Sequence, residues 1–348
     1  MTDETRLPDP AEMGVCRETL NGVLRELNRM LLGREELHEL VLTGILARGH
    51  ILLEGLPGVG KTALVRALGE VLDLEFRRVQ FTPDLMPSDI LGSHVLQDTG
   101  GGKREFVFQP GPVFTNLLLA DEINRASPKT QSAMLETMQE RSVTLLGTTR
   151  MLPHPFMVLA SQNPIEMEGT YPLPEAQLDR FLFKLDVTEV DASVLERIIT
   201  SRRRGEAPEP GWRMTRDDLG RVLALMERIA LPGPVARYIA RLVSATHPGQ
   251  PEATEAVTKF VTYGASPRAA IALAESARGR ALIQGRPAAG FDDVKAVAPH
   301  VLNHRVILNY QARFEQITTR QVVDELIRGL PAVANLDVPA DAVVEAAG

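Results

Sequence analysis

Residues 55–62 read Gly-Leu-Pro-Gly-Val-Gly-Lys-Thr and satisfy the pattern G-x-x-x-x-G-K-[ST]. They sit between the apolar run Ile51-Leu52-Leu53 and the helical run Ala63-Leu64-Val65-Arg66-Ala67-Leu68. A strand, a glycine-rich turn and a helix in that order point to an α/β layer. The glycines let the backbone fold back so that successive N–H groups face phosphate oxygens, and the helix offers its N-terminal dipole to the same anion. Lys61 can reach the outer phosphates, and the Thr62 hydroxyl can ligate Mg²⁺. The phosphate-binding set is therefore Gly55, Pro57, Gly58, Val59, Gly60, Lys61, Thr62 and Ala63, with a nucleoside triphosphate and Mg²⁺ as the expected ligands.

At 348 residues the chain has room for about two domains, each with its own core. The single cysteine, Cys16, excludes an internal disulfide and a thiolate zinc site. The N-terminus lacks the basic start and apolar core of a signal peptide, and no apolar run approaches a membrane span. These features predict a cytoplasmic protein. A net charge of −7 argues against a dedicated nucleic-acid binder. The one basic cluster, Arg202-Arg203-Arg204, ends a helical pattern, where cations complement the dipole and stay solvated.

Candidate strands at 76–81, 117–121, 156–161 and 181–187 alternate with helical patterns, the mark of a parallel sheet wrapped by helices. Two stretches interrupt the alternation, at 93–109 and 142–152. Both read as hairpins that the sheet does not need, so each is expected to project from it. The residue pattern places a loose tail at 1–14, helices at 18–32 and 35–47, a nucleotide-binding core over 15–190, and a C-terminal tail at 331–348. After Asp191 the strand signals stop. Helices are expected at 192–204, 216–229, 233–246, 252–262, 267–283, 291–299 and 319–329, an all-helical domain over 191–330.

Hydrolysis needs more than a phosphate loop. Leu117-Leu118-Leu119-Ala120 is an apolar strand ending in Asp121-Glu122. Asp121 can hold the Mg²⁺ hydration shell, and Glu122 can act as base toward the attacking water. Asn163, after the apolar strand ending at Ser161, would sit at the same sheet edge and could orient the water. Arg180 precedes the last strand; a structural pairing with Asp179 is its simpler reading. Arg268 lies in the first turn of a helix begun by Ser266, a good N-cap, and Pro267. A cation there opposes the dipole and calls for a nearby anion, a role that a γ-phosphate would fill.

The phosphate loop, the segment LADEINRASPKTQSAMLETMQE, SQNP, LPEAQLDRF, GASPRAA and RVQFTPDLMPSD together resemble the MoxR family of AAA+ ATPases over roughly residues 18–330. Ser127, where the family often has proline, and Ser161, where it often has threonine, are departures expected to lie outside the important contacts. The resemblance implies an AAA+ P-loop core with a helix-2 insert (93–109) and a pre-sensor-1 hairpin (142–152), followed by an all-helical lid. It implies a homo-oligomeric, usually hexameric ring with ATP at subunit interfaces, and a protein partner carrying a von Willebrand factor type A domain. In its terms Asn163 is sensor 1, Arg180 the arginine finger and Arg268 sensor 2, acting in cis or in trans. Leu32 and Gly33 match the segment lining the adenine pocket.

The expected activity is chaperone-like remodelling of a protein, driven by ATP. Three alternatives share the ATP site: a metal-chelatase motor, a helicase-like DNA motor and a nucleotide-gated scaffold. The hairpins offer only Arg150, Lys103 and Arg104 as cations, thin for a phosphate track. His300 and His304, four apart, have no third ligand beside them and lack the glutamate of the zinc-protease pattern, so a metal site there is not expected.

Overall fold

The computed structural model describes residues 7–98, 104–164, 170–202 and 207–332. The chain opens with α1 (Pro10–Met30) and α2 (Glu35–Leu46). Helix α1 starts eight residues before the expected Glu18, so residues 10–14 are not a loose tail. Asp9 caps it by accepting from the Ala11 N–H at 2.8 Å, and Pro10 stands at the first helical position. Pro8, Pro10 and Gly14 resemble a breaker cluster in composition, but Asp9-Pro10 is a helix start.

The core runs β1 (Ile51–Glu54), α3 (Lys61–Val71), β2 (Phe76–Gln80), α4 (Pro87–Leu91), β3 (Gly92–Asp98), β4 (Arg104–Pro110), β5 (Leu117–Asp121), α5 (Pro128–Glu140), β6 (Ser142–Leu145), β7 (Thr148–Met151), β8 (Met157–Gln162), α6 (Glu175–Leu178) and β9 (Phe183–Asp186). Five strands form one parallel sheet in the order β2-β5-β8-β1-β9. Period-two alternation divides it: Leu117 and Leu119 face α1, α2 and α3, whereas Leu118 and Ala120 face α5. Both faces are covered, which is why β5 reads as an unbroken apolar run.

The expected hairpins are β3–β4 and β6–β7, each a separate two-stranded sheet. They touch one another: the Arg150 guanidinium lies 4.0 Å from the centre of the Phe108 ring and 3.5 Å from His94 Nε2. The tip at 99–103 lies outside the described residues.

The lid consists of α7 (Ala192–Ser201), α8 (Arg216–Met226), α9 (Gly233–Ser244), α10 (Glu255–Phe260), β10 (Val261–Tyr263), α11 (Pro267–Ile283), α12 (Phe291–Leu302), β11 (Ile307–Leu308), α13 (Tyr310–Phe314) and α14 (Thr319–Gly329). It is helical with one addition. The expected helix at 252–262 stops at Phe260, and β10 pairs antiparallel with β11, a partner remote in sequence. Helix α11 packs on α1 and α2, so the lid shares one continuous apolar cluster with the face of the sheet covered by α1, α2 and α3. Of the basic cluster Arg202-Arg203-Arg204, Arg202 caps α7 and the other two lie outside the described residues, as does 333–348 of the expected C-terminal tail.

Candidate active site

Strands β1, β5 and β8 end side by side at one edge of the sheet, and each delivers part of a site there. The loop after β1 carries Gly58 and Gly60 at φ +85° and +90°, and a Cβ added to either would meet nothing within 4 Å. The backbone is thus turned in a way glycine tolerates best, with open ground beside it that fits a phosphate. Gly55 is the opposite case. A Cβ there would come 2.4 Å from the Val187 carbonyl oxygen, so this glycine permits close packing of the loop on the segment after β9.

Arg34, before α2, donates to the Val59 carbonyl at 2.6 Å and ties the loop down from outside the motif. Lys61 is buried and donates to the Gly55 carbonyl at 2.5 Å. Burial lowers its pKa, while the carboxylates of Asp121, Glu122 and Glu54 oppose that shift. Thr62 follows in the first turn of α3, partly buried, with Ala63 exposed beside it.

Beside the loop lies a cavity of about 480 Å³ whose walls include Leu31, Leu32, Pro57, Val59, Leu195 and Ile198. Its apolar character and position suit a nucleotide base. Leu32 is one of its walls. Gly33 does not line this cavity. At φ +74° it makes the turn between α1 and α2, and a Cβ would come 2.8 Å from Val194 of α7.

At the end of β5, Asp121 and Glu122 are held individually. Glu122 adopts a left-handed backbone (φ 56°, ψ 48°), which turns the chain sharply at the strand end. Its carboxylate accepts from Gln80 Nε2 and from Arg125, each at 2.9 Å. Asp121 is buried and accepts from Arg78 at 2.6 Å. Ser161 joins the two: its hydroxyl donates to Asp121 Oδ1 at 2.5 Å and accepts from the Glu122 N–H at 3.0 Å. Ser161 was expected to stand outside the important contacts; it bridges both carboxylate residues because β8 pairs directly with β5. Asn163 follows β8, between the ends of β5 and β1.

Arg180 and Arg268 are not part of this group. They line a second cavity, of about 380 Å³, together with Gly49 and His50 before β1 and Leu182 before β9. That places them at the N-terminal ends of strands whose C-terminal ends carry the phosphate loop. The separation is at least the length of β1, about 13 Å for four residues, roughly twice the reach of an arginine side chain.

The anion that Arg268 calls for within its own chain is Asp179, 3.4 Å away. Asp179 also accepts from Ser266 Oγ at 3.0 Å and from the buried Arg305 at 2.9 Å. The Ser266 hydroxyl is therefore spent on the core rather than on capping α11, and Asp179 pairs across to the lid rather than with Arg180. Arg180 donates to the Leu135 carbonyl at 3.1 Å, while its Nε is buried without a partner among the described residues.

Histidines here are structural. His50 bridges the Met138 carbonyl and the Val158 N–H at 2.9 and 3.0 Å, and burial lowers its pKa to about 4. His304 binds the Phe181 carbonyl at 3.0 Å, and His300 sits edge-on to Phe183.

Sequence comparison decides the family. Residues 50–183 match the model of the ATPase family associated with various cellular activities, and residues 253–326 match the AAA lid domain. The chain is 42% identical to Chaperone MoxR1 of Mycobacterium tuberculosis over 317 residues, covering 90% of this chain and 83% of that one. The chain belongs to the MoxR family of AAA+ ATPases. It is also 31% identical to Protein MoxR of Methylorubrum extorquens, over 94% and 97% of the two chains. A solved structure from Cytophaga hutchinsonii superposes on this MoxR chain with a TM-score of 0.84 at 40% identity, over 92% and 97% of the two chains. Among the described residues, no helix of this family member is long and apolar enough to cross a membrane.

The residues that the sequence alone missed, Arg34, Arg78, Gln80, Arg125 and Ser161, all act by holding others. Arg78 and Gln80 fall within the RVQFTPDLMPSD segment, and their i, i+2 spacing on a strand, which puts both on one face, was the available signal.

Proposed function

We propose that this chain is the subunit of a head-to-tail ring that hydrolyses ATP at sites shared between neighbours and uses the cycle to remodel a protein partner. The observation that carries the reading is the split described above. The loop, Asp121, Glu122 and Asn163 occupy one end of the sheet, and Arg180 and Arg268 occupy the other. Neither arginine can serve its own chain's loop, whereas a heterologous interface brings one subunit's N-terminal edge against the next subunit's C-terminal edge. Arg268 then acts in trans, together with Arg180.

Within one such site, Lys61 and the loop N–H groups bind the phosphates, and Asn163 orients the attacking water. Glu122 accepts that water's proton, positioned by Gln80 and Arg125. Thr62 and Asp121 present the oxygen donors that suit Mg²⁺, which when bound neutralises charge on the phosphates. Asp121 must exchange its contact with Arg78 to do so. Arg180 and Arg268 from the neighbour meet the charge that develops on the transferring phosphoryl group.

The chaperone designation of the M. tuberculosis relative supports a protein partner. The family resemblance favours one with a von Willebrand factor A domain. The DNA-motor reading is weakened because Arg150 is spent on Phe108 and His94. In the test, Glu122→Gln should retain ATP binding and lose turnover about 10³-fold, and should hold its partner in ATP for identification by pull-down. Turnover at the wild-type rate would overturn the assignment of Glu122. Recovery of DNA in place of a protein would overturn the proposed partner class.

A further inference from the structure

The cavity that holds Arg180 and Arg268 is lined by three further arginines, Arg48, Arg141 and Arg305, against two carboxylates, Asp179 and Glu275. The five guanidinium groups are not equivalent. Arg305 is buried and spent on Asp179 and on main-chain carbonyls of the core. Arg48 pairs with Glu227 at 3.0 Å, and Arg268 with Asp179 at 3.4 Å. Arg141 and Arg180 are instead held by main-chain carbonyls, those of Arg48 and Leu135, both at 3.1 Å. A neutral carbonyl orients a guanidinium without cancelling its charge.

Arg141 follows α5, a helix end where a cation is favourable for dipole reasons alone. Its side chain does not turn back onto the last carbonyls of α5. It crosses to Arg48, before β1, and lines the cavity. Its backbone is left-handed (φ 51°), and its carbonyl accepts from the Leu152 N–H at 3.0 Å, closing the base of the β6–β7 hairpin.

We propose that Arg141 is a third arginine presented in trans, contacting the phosphates bound by the neighbouring subunit beside Arg180 and Arg268. The proposal rests on the shared-site reading above and adds a residue to it. Because Arg141 also forms the hairpin base, the segment gripping the neighbour's phosphates is continuous with a segment that projects from the sheet.

The test is subunit mixing. Arg141→Ala should lower ATP turnover about a hundredfold, the cost of removing one donor to developing charge, with an unchanged melting temperature. Mixed one to one with Glu122→Gln, it should recover activity. In a head-to-tail ring with random mixing, about a quarter of the sites pair an intact loop and Glu122 with an intact Arg141 donor. Arg141→Lys should retain part of the activity. Arg141→Gln removes the charge and keeps a shorter polar side chain in place of the guanidinium that reaches the Arg48 carbonyl, so it carries the test if the alanine variant does not fold. Wild-type turnover in Arg141→Gln would overturn the proposal. So would Arg141→Ala that stays inactive in mixture while Arg180→Ala mixed with Glu122→Gln recovers, and that result would leave the shared site standing. Recovery by neither variant would overturn the shared site and this proposal with it.

Discussion

At the C-terminal edge of the sheet the phosphate loop and the Asp121-Glu122 pair each come from a few consecutive residues. At the N-terminal edge, Arg48, Arg141, Asp179, Arg268 and Arg305 come from five separate stretches of chain. The first edge is organised around the main chain, with glycine conformations, a helix N-terminus and strand ends in register. The second is organised around side-chain charge, with Asp179 as the acceptor that joins core to lid. One edge is a binding site that local sequence can specify. The other is a set of donors whose meaning depends on where the fold puts them.

The comparison breaks most readily at Arg180. Arg180→Ala should cut turnover about 10⁴-fold, the middle of the range for a charge-stabilising arginine supplied to a phosphoryl group, while ATP affinity changes little. A variant that lost ATP affinity and kept its turnover number would place Arg180 at its own chain's loop and erase the distinction between the edges.

Asp179→Ala removes the acceptor of Arg305, whose side chain is only 3% exposed. Leaving that charge unpaired should cost about 3 kcal/mol of stability, read by urea denaturation. A loss below 1 kcal/mol would mean that the main-chain carbonyls around Arg305 suffice and that Asp179 does not join lid to core.

Acid sharpens the contrast, because the buried histidines His50 and His304 belong to the N-terminal edge and lid junction. The pKa of His50 is lowered to about 4 by burial, so folding favours the neutral ring. Its contribution is present above the unfolded pKa near 6.5 and is lost as pH falls from there toward 4. At pH 5 the loss is about 2 kcal/mol. His50→Gln should flatten the pH dependence of the melting temperature between 6.5 and 5, and an unchanged slope would contradict this.

The smallest effect is expected at Ser161. Ser161→Ala removes both hydrogen bonds of the hydroxyl, that from the Glu122 N–H and that to Asp121, and should lower turnover about tenfold. Ser161→Thr, which keeps the hydroxyl, should stay near wild type. Equal loss in both variants would show that the hydroxyl bridge is not what positions the carboxylates.

Much of the fold was legible because it is local. The strands β5 and β8 are built on continuous apolar runs, residues 117–120 and 156–160, and α11 and α14 stop at glycine and proline signals, Gly285 and Gly329-Leu330-Pro331. The short β10 was hidden within a helical pattern because its partner, β11, lies more than forty residues away. The start of α1 was hidden because Asp9-Pro10 shares its composition with loops. In the active site, the residues that bear the chemistry stand in motifs, whereas the holding roles of Ser161, Arg34 and Gln80 appear in the hydrogen bonds between strands and loops.

The sequence by itself determined that this chain folds a phosphate loop onto a parallel sheet, because glycine stereochemistry and apolar periodicity act over a few neighbouring residues. Only the tertiary structure decided that Arg180 and Arg268 stand at the far end of that sheet, beside Arg141, with Arg268 of the lid paired to Asp179 of the core. Strand direction sets that separation, and no local pattern encodes which end of a sheet a distant arginine will reach.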